Sequence, residues 1–268
     1  MNTPVPAGSL RPVRTATRTL QVAFIGPVEI TVQDRGWTRP FLLLHGGGGP
    51  ATMTGFADLL AERTHARVLL PTHPGFNGTP KSAALIGVGE LAQAYVTLLD
   101  QLDLMDVTVV GNSFGGWLAA EMALQASPRL TGAVIIDGIG IEVDRHPMTD
   151  VRGISLTEIR ARSFHDPSKA PSPPASGGTG PSPDVAALIG YTGPAMTDPT
   201  LAGRLGSLEL PVHVLWGESD RIVDPGYGKA YATAIPGATF TVLPCSGHLP
   251  QVETPGELLR ALLDLGIL

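Results

Sequence analysis

Three widely separated residues have the side chains needed for nucleophilic catalysis: Ser113, Asp220 and His248, in chain order. A serine hydroxyl is a poor nucleophile near neutral pH, so it needs a base within hydrogen-bond reach. That base needs an acid to orient it, and the oxyanion formed in acyl transfer needs fixed N–H donors. The sequence therefore contains a candidate for each of these parts: a nucleophile, an acid and a base.

Ser113 lies in the sequence Gly-Asn-Ser-Phe-Gly-Gly, between an apolar run and a helical pattern. The run at 106–110 is rich in β-branched residues, which is typical of a strand buried on both faces. Strand, Gly-x-Ser-x-Gly and helix together are the layout of a nucleophile elbow, whose tight turn needs Gly111 and Gly115. The bare motif is weak evidence, because a glycine-rich turn that only packs a helix on a strand has the same pattern.

Apolar runs alternate with helical patterns along most of the chain, which predicts an α/β fold with a mostly parallel sheet. Helices should cover both faces of this sheet. Polar residues that could take part in catalysis lie in the loops that follow predicted strands: His45, Ser113, Asp137, Asp220 and His248. Because the carboxyl ends of parallel strands meet at one edge, we expect these residues to gather there.

Two regions depart from this alternation. Residues 1 to about 18 are predicted to form an extended arm, followed by a hairpin that turns at Gly26-Pro27. Between 141 and 208 there are helical pieces separated by a Pro/Ser/Gly-rich tract at about 169–183, which has almost nothing to bury.

We expect the second region, 141–208, to be a lid insertion with a flexible linker. Residues 1–140 and 209–268 should then form a single core domain, as the chain length allows.

Composition limits the classes of partner and the cellular compartment that the protein is expected to have. The net charge of −6 argues against nucleic acid and anionic membranes as partners. We expect a small-molecule substrate. A single cysteine, Cys245, excludes an internal disulfide framework and suits a reducing compartment. The N-terminal residues carry no apolar signal-peptide region, and no apolar run has transmembrane length, so we expect a cytoplasmic protein. The sequence also leaves room for a homo-oligomer.

Four further motifs join the elbow. They are HGGGG at 45–49, HPGFNGT at 73–79, WGESDRIVDP at 216–225 and CSGHLPQVETP at 245–255. Each is weak or moderate evidence alone, but all five in this order resemble the α/β-hydrolase superfamily in its serine-nucleophile branch. The resemblance covers the chain nearly end to end, and it implies the α/β-hydrolase fold.

The resemblance also implies a role for each matching residue. Ser113 is similar to the nucleophile, His248 to the general base that later acts as acid, and Asp220 to the residue that holds the imidazole tautomer. The backbone N–H groups of Phe114 and Gly47 are implied as the oxyanion hole. Because the loop contains four consecutive glycines, Gly48 stays open as the alternative to Gly47.

Other polar residues have competing interpretations. Asp137 is the second place where this superfamily can put its acid, whereas Asp224 is predicted to be a helix N-cap before Pro225. His45 is implied to hold the oxyanion loop, and His73 to pack within its own loop. The remaining histidines are expected at ordinary surface or core positions: His65, His146, His165 and His213.

Cys245 is predicted to be buried packing rather than a second nucleophile. No spacing of His, Cys and carboxylate residues indicates a metal site, and the glycines at 46–49 do not form a dinucleotide fingerprint. We therefore expect neither a metal nor a cofactor.

The nucleophile type narrows the reaction. Members of the superfamily that open epoxides or displace halide use a carboxylate there, whereas Ser113 would form acyl-enzymes. The elbow and the HGGGG loop are similar to those of meta-cleavage-product C–C hydrolases, but Ala51 stands where that family continues Gly-Pro-Gly. We favour an esterase or thioesterase acting on a small to medium apolar acyl substrate. C–C hydrolysis of diketone-type substrates, a ligand receptor and a cofactor-free non-hydrolytic enzyme stay open.

Overall fold

The computed structural model describes residues 12–151, 154–171 and 183–266. These residues contain an eight-stranded sheet in the order β1-β2-β4-β3-β5-β6-β7-β8. β2 pairs with β1 and with β4 in antiparallel orientation, and the other pairings are parallel. The strands are β1 (Arg14–Val22), β2 (Gly26–Arg35), β3 (Pro40–Leu44), β4 (Arg67–Thr72), β5 (Val107–Asn112), β6 (Leu130–Ile136), β7 (Val212–Gly217) and β8 (Thr239–Leu243).

Helices cover both faces of this sheet, which confirms the predicted α/β architecture. They are α1 (Ala51–Thr64), α2 (Val88–Gln101), α3 (Phe114–Leu124), α4 (Leu156–Ser163), α5 (Pro183–Thr192), α6 (Leu201–Leu205), α7 (Pro225–Thr233), α8 (Pro250–Glu253) and α9 (Pro255–Asp264). A 3₁₀ turn occupies Pro167–Lys169. Among the described residues, no helix is both long enough and apolar enough to cross a membrane.

The central strands are apolar on both sides because each face packs against helices. Along β3, Leu42 and Leu44 belong to the cluster that contains residues of α2, α3 and α7, whereas Phe41 and Leu43 belong to the cluster with α1 and α9. This alternation follows from the two-residue period of a strand. The parallel strands therefore have a firm position between two helical layers, and their carboxyl ends meet at one edge.

The N-terminal hairpin differs from its prediction in two respects. β1 begins at Arg14, inside the segment predicted to be an extended arm, and the turn lies at 23–25 rather than at Gly26-Pro27. Gly26 is already paired with Val22 as the first residue of β2. The turn instead places Phe24 at a φ of 64°, with its ring fully exposed.

The segment at 141–208 carries α4, α5 and α6. Its end is attached to the core through α6, where Arg204 donates from Nη1 and Nη2 to the two carboxylate oxygens of Glu121 on α3, both at 2.7 Å. Trp117 Nε1 donates to the same carboxylate at 3.1 Å. Most of the tract predicted to be a flexible linker, 172–182, lies outside the described residues, and the division into core and lid stays a prediction.

Candidate active site

Ser113 occupies a tight turn between β5 and α3. Its backbone has a φ of 56° and a ψ of −117°, a strained conformation for a residue with a side chain. A Cβ atom at Gly111 would lie 1.9 Å from the carbonyl oxygen of Gly115, and one at Gly115 would lie 2.1 Å from that of Leu44. Only glycine fits at either position. The Ser113 side chain is partly exposed and makes no capping hydrogen bond to α3.

His248 and Asp220 lie in direct contact at the ends of β8 and β7. The distance from His248 Nδ1 to Asp220 Oδ2 is 2.7 Å, and the Asp220 side chain is fully buried. The other carboxylate oxygen, Oδ1, accepts the N–H groups of Ile222 at 2.7 Å and Val223 at 3.2 Å. A carboxylate that accepts from Nδ1–H leaves Nε2 as the basic nitrogen. Of the two candidate acids, it is Asp220 that contacts the His248 ring.

The elbow and the His248 loop are joined by Asn112, the buried residue that precedes Ser113. Its Nδ2 donates to the carbonyl oxygen of His248 at 2.9 Å and to that of Ile136 at 3.3 Å. Its Oδ1 accepts from Gln251 Nε2 at 3.0 Å. The Asn112 amide therefore ties the turn that carries the serine to the loop that carries the histidine, a role that sequence analysis did not identify.

The last two residues of α4 bind the loops that carry Asp220 and His248. The Ser163 carbonyl oxygen accepts the His248 N–H at 2.7 Å, and the Arg162 carbonyl oxygen accepts the Arg221 N–H at 3.0 Å. A Cβ atom at Gly247 would lie 2.3 Å from the Ser163 oxygen, so the two backbones can approach only at a glycine. This part of the predicted lid thus supports the position of the His248 loop.

Glu253 strengthens the same junction. It is buried, and its carboxylate accepts three backbone N–H groups: His165 at 3.0 Å, Asp166 at 2.7 Å and Gly247 at 2.8 Å. Hydrogen bonds to an ionised acceptor are stronger than neutral ones. Sequence analysis missed this residue too, because a lone glutamate two residues before a proline carries no signal for remote backbone partners.

His45 and His73 form a second buried group below the glycine-rich loop. His45 donates from Nδ1 to the Gly46 carbonyl oxygen at 2.8 Å, and its Nε2 accepts the His73 N–H at 3.1 Å. His73 donates from Nε2 to the His45 carbonyl oxygen at 2.9 Å, and the Tyr95 hydroxyl donates to its Nδ1 at 2.5 Å. These partners satisfy both nitrogens of each ring, and they assign the tautomers of two neutral imidazoles.

Burial explains why both rings are neutral. Loss of solvation lowers the pKa of His45 to about 4. It also lowers the pKa of His73 well below its usual range, and the neighbouring His45 lowers it further. The two rings lie 3.7 Å apart, centroid to centroid. His45 therefore holds the start of the glycine-rich loop, and His73 supports this position through its two hydrogen bonds with His45.

The glycine-rich loop runs from the elbow toward α5. A Cβ atom at Gly46 would lie 3.0 Å from Cβ of Ser113, so this residue packs against the elbow itself. Gly47 comes next and faces α5, with Leu188 Cδ2 at 2.9 Å from its ideal Cβ position. Gly48 is one residue farther along the loop. This order favours Gly47 over Gly48 as the oxyanion donor, but the assignment stays a prediction, as does that of Phe114.

Helix α5 covers the loops that follow β3 and β4. The Tyr191 hydroxyl donates to the Pro74 carbonyl oxygen at 2.9 Å, and its ring stacks on Phe114 at 5.8 Å. At the other end of α5, Asp184 Oδ1 accepts the Asn77 N–H at 2.8 Å. Tyr191 is thus packed into the body of the protein, whereas Leu188 reaches the glycine-rich loop.

Several residues singled out in the sequence have ordinary structural partners. Asp224 is the predicted N-cap, since its Oδ1 accepts the Tyr227 N–H at 3.0 Å and Pro225 opens α7. It also contacts His146. The other three histidines have these neighbours: His65 stacks on Trp37, His165 bonds Ser219, and His213 bonds Thr239.

The prediction that Cys245 is buried packing is wrong. The residue is exposed and has a φ of 52°, because the chain turns outward directly after β8. Its N–H donates to the carboxylate of Glu218 at 3.2 Å, so the turn is held through the backbone rather than through the thiol.

A second buried carboxyl, Asp137, lies beside the Asp220–His248 pair. One donor atom from each of these residues lies within 4.8 Å of the other two, a spacing that could also suit a cation. However, the 2.7 Å contact between Nδ1 and Oδ2 is a direct hydrogen bond, which an ion between the two atoms would break. Burial, and then the negative charge of Asp220, raise the pKa of Asp137 well above its usual range.

Known proteins resemble this chain over most of its length. An uncharacterized protein of Mycobacterium tuberculosis is 25% identical over 282 residues, which cover 94% of this chain and 82% of that protein. A 2-hydroxy-6-oxo-6-phenylhexa-2,4-dienoate hydrolase of Burkholderia cepacia is 26% identical over 275 residues, covering 88% of this chain and 90% of that protein. The solved structure of a thermophilic esterase from Thermogutta terrifontis superimposes with a TM-score of 0.70 at 21% identity, covering 93% and 97% of the two chains. The alpha/beta hydrolase family model matches residues 41–261, and the protein belongs to this family of hydrolytic enzymes.

Proposed function

We propose that the protein is a serine hydrolase that works through an acyl-enzyme on a small to medium apolar ester or thioester. The observation that carries the proposal is the 2.7 Å contact between His248 Nδ1 and Asp220 Oδ2, in a loop joined to the strained Ser113 elbow through Asn112. A buried acid, an oriented imidazole and an outward-turned serine are the components of nucleophilic acyl transfer.

In the first half-reaction the Ser113 hydroxyl attacks the substrate carbonyl carbon, and His248 Nε2 takes the hydroxyl proton. Asp220 keeps the imidazole in the correct tautomer and stabilises the imidazolium that forms. The oxyanion of the tetrahedral intermediate accepts the N–H groups of Phe114 and Gly47, at the positive end of α3. Collapse of the intermediate breaks the bond to the leaving group, which receives the proton from His248.

In the second half-reaction a water molecule attacks the acyl-enzyme. His248 Nε2 takes a proton from this water and returns it to Ser113 when the acid product leaves. The cycle needs no cofactor, and each proton that leaves the serine or the water passes through one nitrogen.

We propose further that the segment at 141–208 is the lid over this site. The support comes from its contacts with the site loops. α5 reaches the glycine-rich loop through Leu188, and Ser163, the last residue of α4, binds the His248 loop. Partly buried apolar side chains of α4 and α5, such as Ile159 and Leu188, would face an apolar acyl group. Lids of this kind gate substrate entry and product release.

C–C hydrolysis is the second candidate, and the observation that favours it is the similarity to the dienoate hydrolase of Burkholderia cepacia, at 26% identity over 88% of this chain. The same serine and histidine would act on a ketone carbonyl of a diketone-type substrate. Against it stands Ala51, which opens α1 where the resemblance to these hydrolases calls for glycine.

The experiment is a substrate panel with the wild type and Ser113→Ala. The panel contains p-nitrophenyl acetate, butyrate and octanoate, a short acyl thioester, and 2-hydroxy-6-oxo-6-phenylhexa-2,4-dienoate. We expect ester or thioester turnover by the wild type and a loss of at least about 10³-fold in Ser113→Ala. Turnover of the dienoate alone would replace the first proposal with the second. Equal turnover by the wild type and Ser113→Ala would overturn both proposals.

A further inference from the structure

Asp137 is a buried carboxyl that the proposed mechanism does not use. It follows β6 with a φ of 45°, an unfavourable conformation that the surrounding structure must hold in place. Its side chain has no exposure. Oδ1 accepts the Gly217 N–H at 2.8 Å, whereas Oδ2 is buried and receives no N–H or O–H from the residues that the structure describes. A buried oxygen without a partner is costly unless it carries a proton that it can donate.

The groups around Asp137 decide whether it can be ionised. Within the described residues, the titratable groups gathered at this point are Asp220, from the loop after β7, and His248, from the loop after β8. α3 approaches this point through Gly116, which has no side chain and packs against Gly138, the residue after Asp137. β5 offers the neutral amide of Asn112. Two carboxyls therefore share one base, with no arginine or lysine among these neighbours.

Two adjacent buried carboxyls cannot both be charged at low cost, so one of them keeps a proton. Asp220 accepts three hydrogen bonds, from two backbone N–H groups and from His248. Asp137 accepts one, from Gly217. Since each donor stabilises a negative charge, the charge belongs on Asp220 and the proton on Asp137.

We propose that Asp137 is a positioning residue that stays protonated and donates a hydrogen bond from Oδ2 to the carboxylate of Asp220. This proposal rests on the proposed role of Asp220 as the partner of His248. The bond from Asp137 fixes the rotation of the Asp220 carboxylate, which in turn fixes the imidazole. No proton moves from Asp137 during the reaction, so the pair carries one negative charge throughout the cycle.

Asp137→Asn tests this protonation state. The asparagine can accept the Gly217 N–H at Oδ1 and donate from Nδ2 to Asp220, so it reproduces a neutral acid. We expect kcat/KM within about 3-fold of the wild type, and an acid limb of the pH–rate profile displaced by less than about 0.3 pH unit. A displacement of about one unit or more toward lower pH would overturn the proposal, because it would mean that a negative charge next to His248 had been removed.

Asp137→Ala tests positioning, since alanine offers neither donor nor acceptor. We expect kcat to fall at least about 10-fold, with KM nearly unchanged and with rescue by asparagine at the same position. Full activity of the alanine variant would overturn the proposal. Asp220→Asn separates the two proposals, because its full activity would contradict the proposed function, whereas an inactive Asp220→Asn beside a fully active Asp137→Ala would contradict only the role of Asp137.

An infrared measurement needs neither activity nor the alanine variant. The difference spectrum of wild type minus Asp137→Asn, at neutral pH, should contain the carbonyl stretch of a protonated carboxylic acid. A difference spectrum that contains carboxylate bands instead would show that Asp137 is ionised, and would overturn the proposal.

Discussion

Two buried histidine groups flank the elbow, and they use the same ring in opposite ways. In one group, His45 and His73 have neutral partners at every nitrogen, and burial depresses both pKa values. In the other group, His248 contacts a buried carboxylate through Nδ1, and within the described residues no hydrogen bond occupies Nε2. A histidine with all its nitrogens satisfied serves as a scaffold. A histidine with one carboxylate partner and one open nitrogen can carry a proton.

The two groups also differ in what supports them. The His45–His73 pair is held by its own loops and by Tyr95 on α2, all within the core. The His248 loop instead depends on Asn112 in the elbow and on Ser163 in the predicted lid. Substitutions in the predicted lid should therefore disturb the His248 loop more than the glycine-rich loop at 46–49.

The largest effect on kcat is expected at Asp220, the carboxylate that contacts His248. Asp220→Asn should lower kcat by about 10³- to 10⁴-fold, because the amide can donate to Nδ1 and stabilise the wrong imidazole tautomer. The matched control is Asp137→Asn, which changes a carboxyl next to the same pair. The measurement is steady-state hydrolysis of an activated ester, with circular dichroism to verify the fold. An Asp220→Asn variant that keeps more than a tenth of wild-type kcat would break the comparison between the two histidine groups.

A smaller effect is expected from loosening the support of the His248 loop. In Glu253→Gln, one amide oxygen replaces a carboxylate that accepts three N–H groups, and the new NH₂ group faces donors. We expect the free energy of unfolding to fall by about 2–4 kcal/mol and kcat to fall about 10-fold. Urea unfolding and ester kinetics measure the two effects.

Glu257→Gln is the control for that experiment, because Glu257 is a more exposed glutamate on α9 that pairs with Arg260. Its stability should stay within about 0.5 kcal/mol of the wild type. If Glu253→Gln behaves like this control, the proposed dependence of the His248 loop on the predicted lid is wrong.

The His45–His73 pair should make the stability of the protein depend on pH. His45 and His73 have folded-state pKa values below the ordinary 6.5, so the unfolded chain binds more protons as the pH falls. The contribution of these two histidines to the free energy of unfolding is therefore fully present above about pH 6.5. It is lost toward pH 4, by up to about 1.4 kcal/mol per pH unit for each histidine. His73→Phe should show a shallower slope, whereas His65→Gln, at an exposed position, should keep the wild-type slope. Equal slopes in all three proteins would contradict the neutral, buried pair.

Much of this arrangement can be predicted from the sequence, because it follows from local patterns. The elbow is predictable because only glycine fits at Gly111 and Gly115, and the Asp224 cap because a capping carboxylate followed by proline is a local signal. Parallel strands then bring Ser113, Asp220 and His248 to one edge.

The parts that were missed or wrong depend on distant partners or on the path of a loop. Asn112 and Glu253 bind backbone groups that lie far away in sequence, 136 residues away for the Asn112–His248 bond and 88 for the Glu253–His165 bond. No period or motif encodes such partners. The sequence predicts a buried Cys245 because cysteines are usually buried, whereas the turn after β8 exposes it. The hairpin turn lies before its predicted position: Gly26-Pro27 has the composition of a turn, but Gly26 pairs with Val22.

The central claim is that Ser113 is the nucleophile, and labelling with a fluorophosphonate tests it most directly. Intact-mass and peptide mass spectrometry of the wild type should show a single adduct, located on Ser113. Ser113→Ala should remain unlabelled, and Asp220→Asn should be labelled far more slowly than the wild type. Labelling of Ser113→Ala at the wild-type rate, or a wild-type adduct on another residue such as the exposed Cys245, would contradict the account.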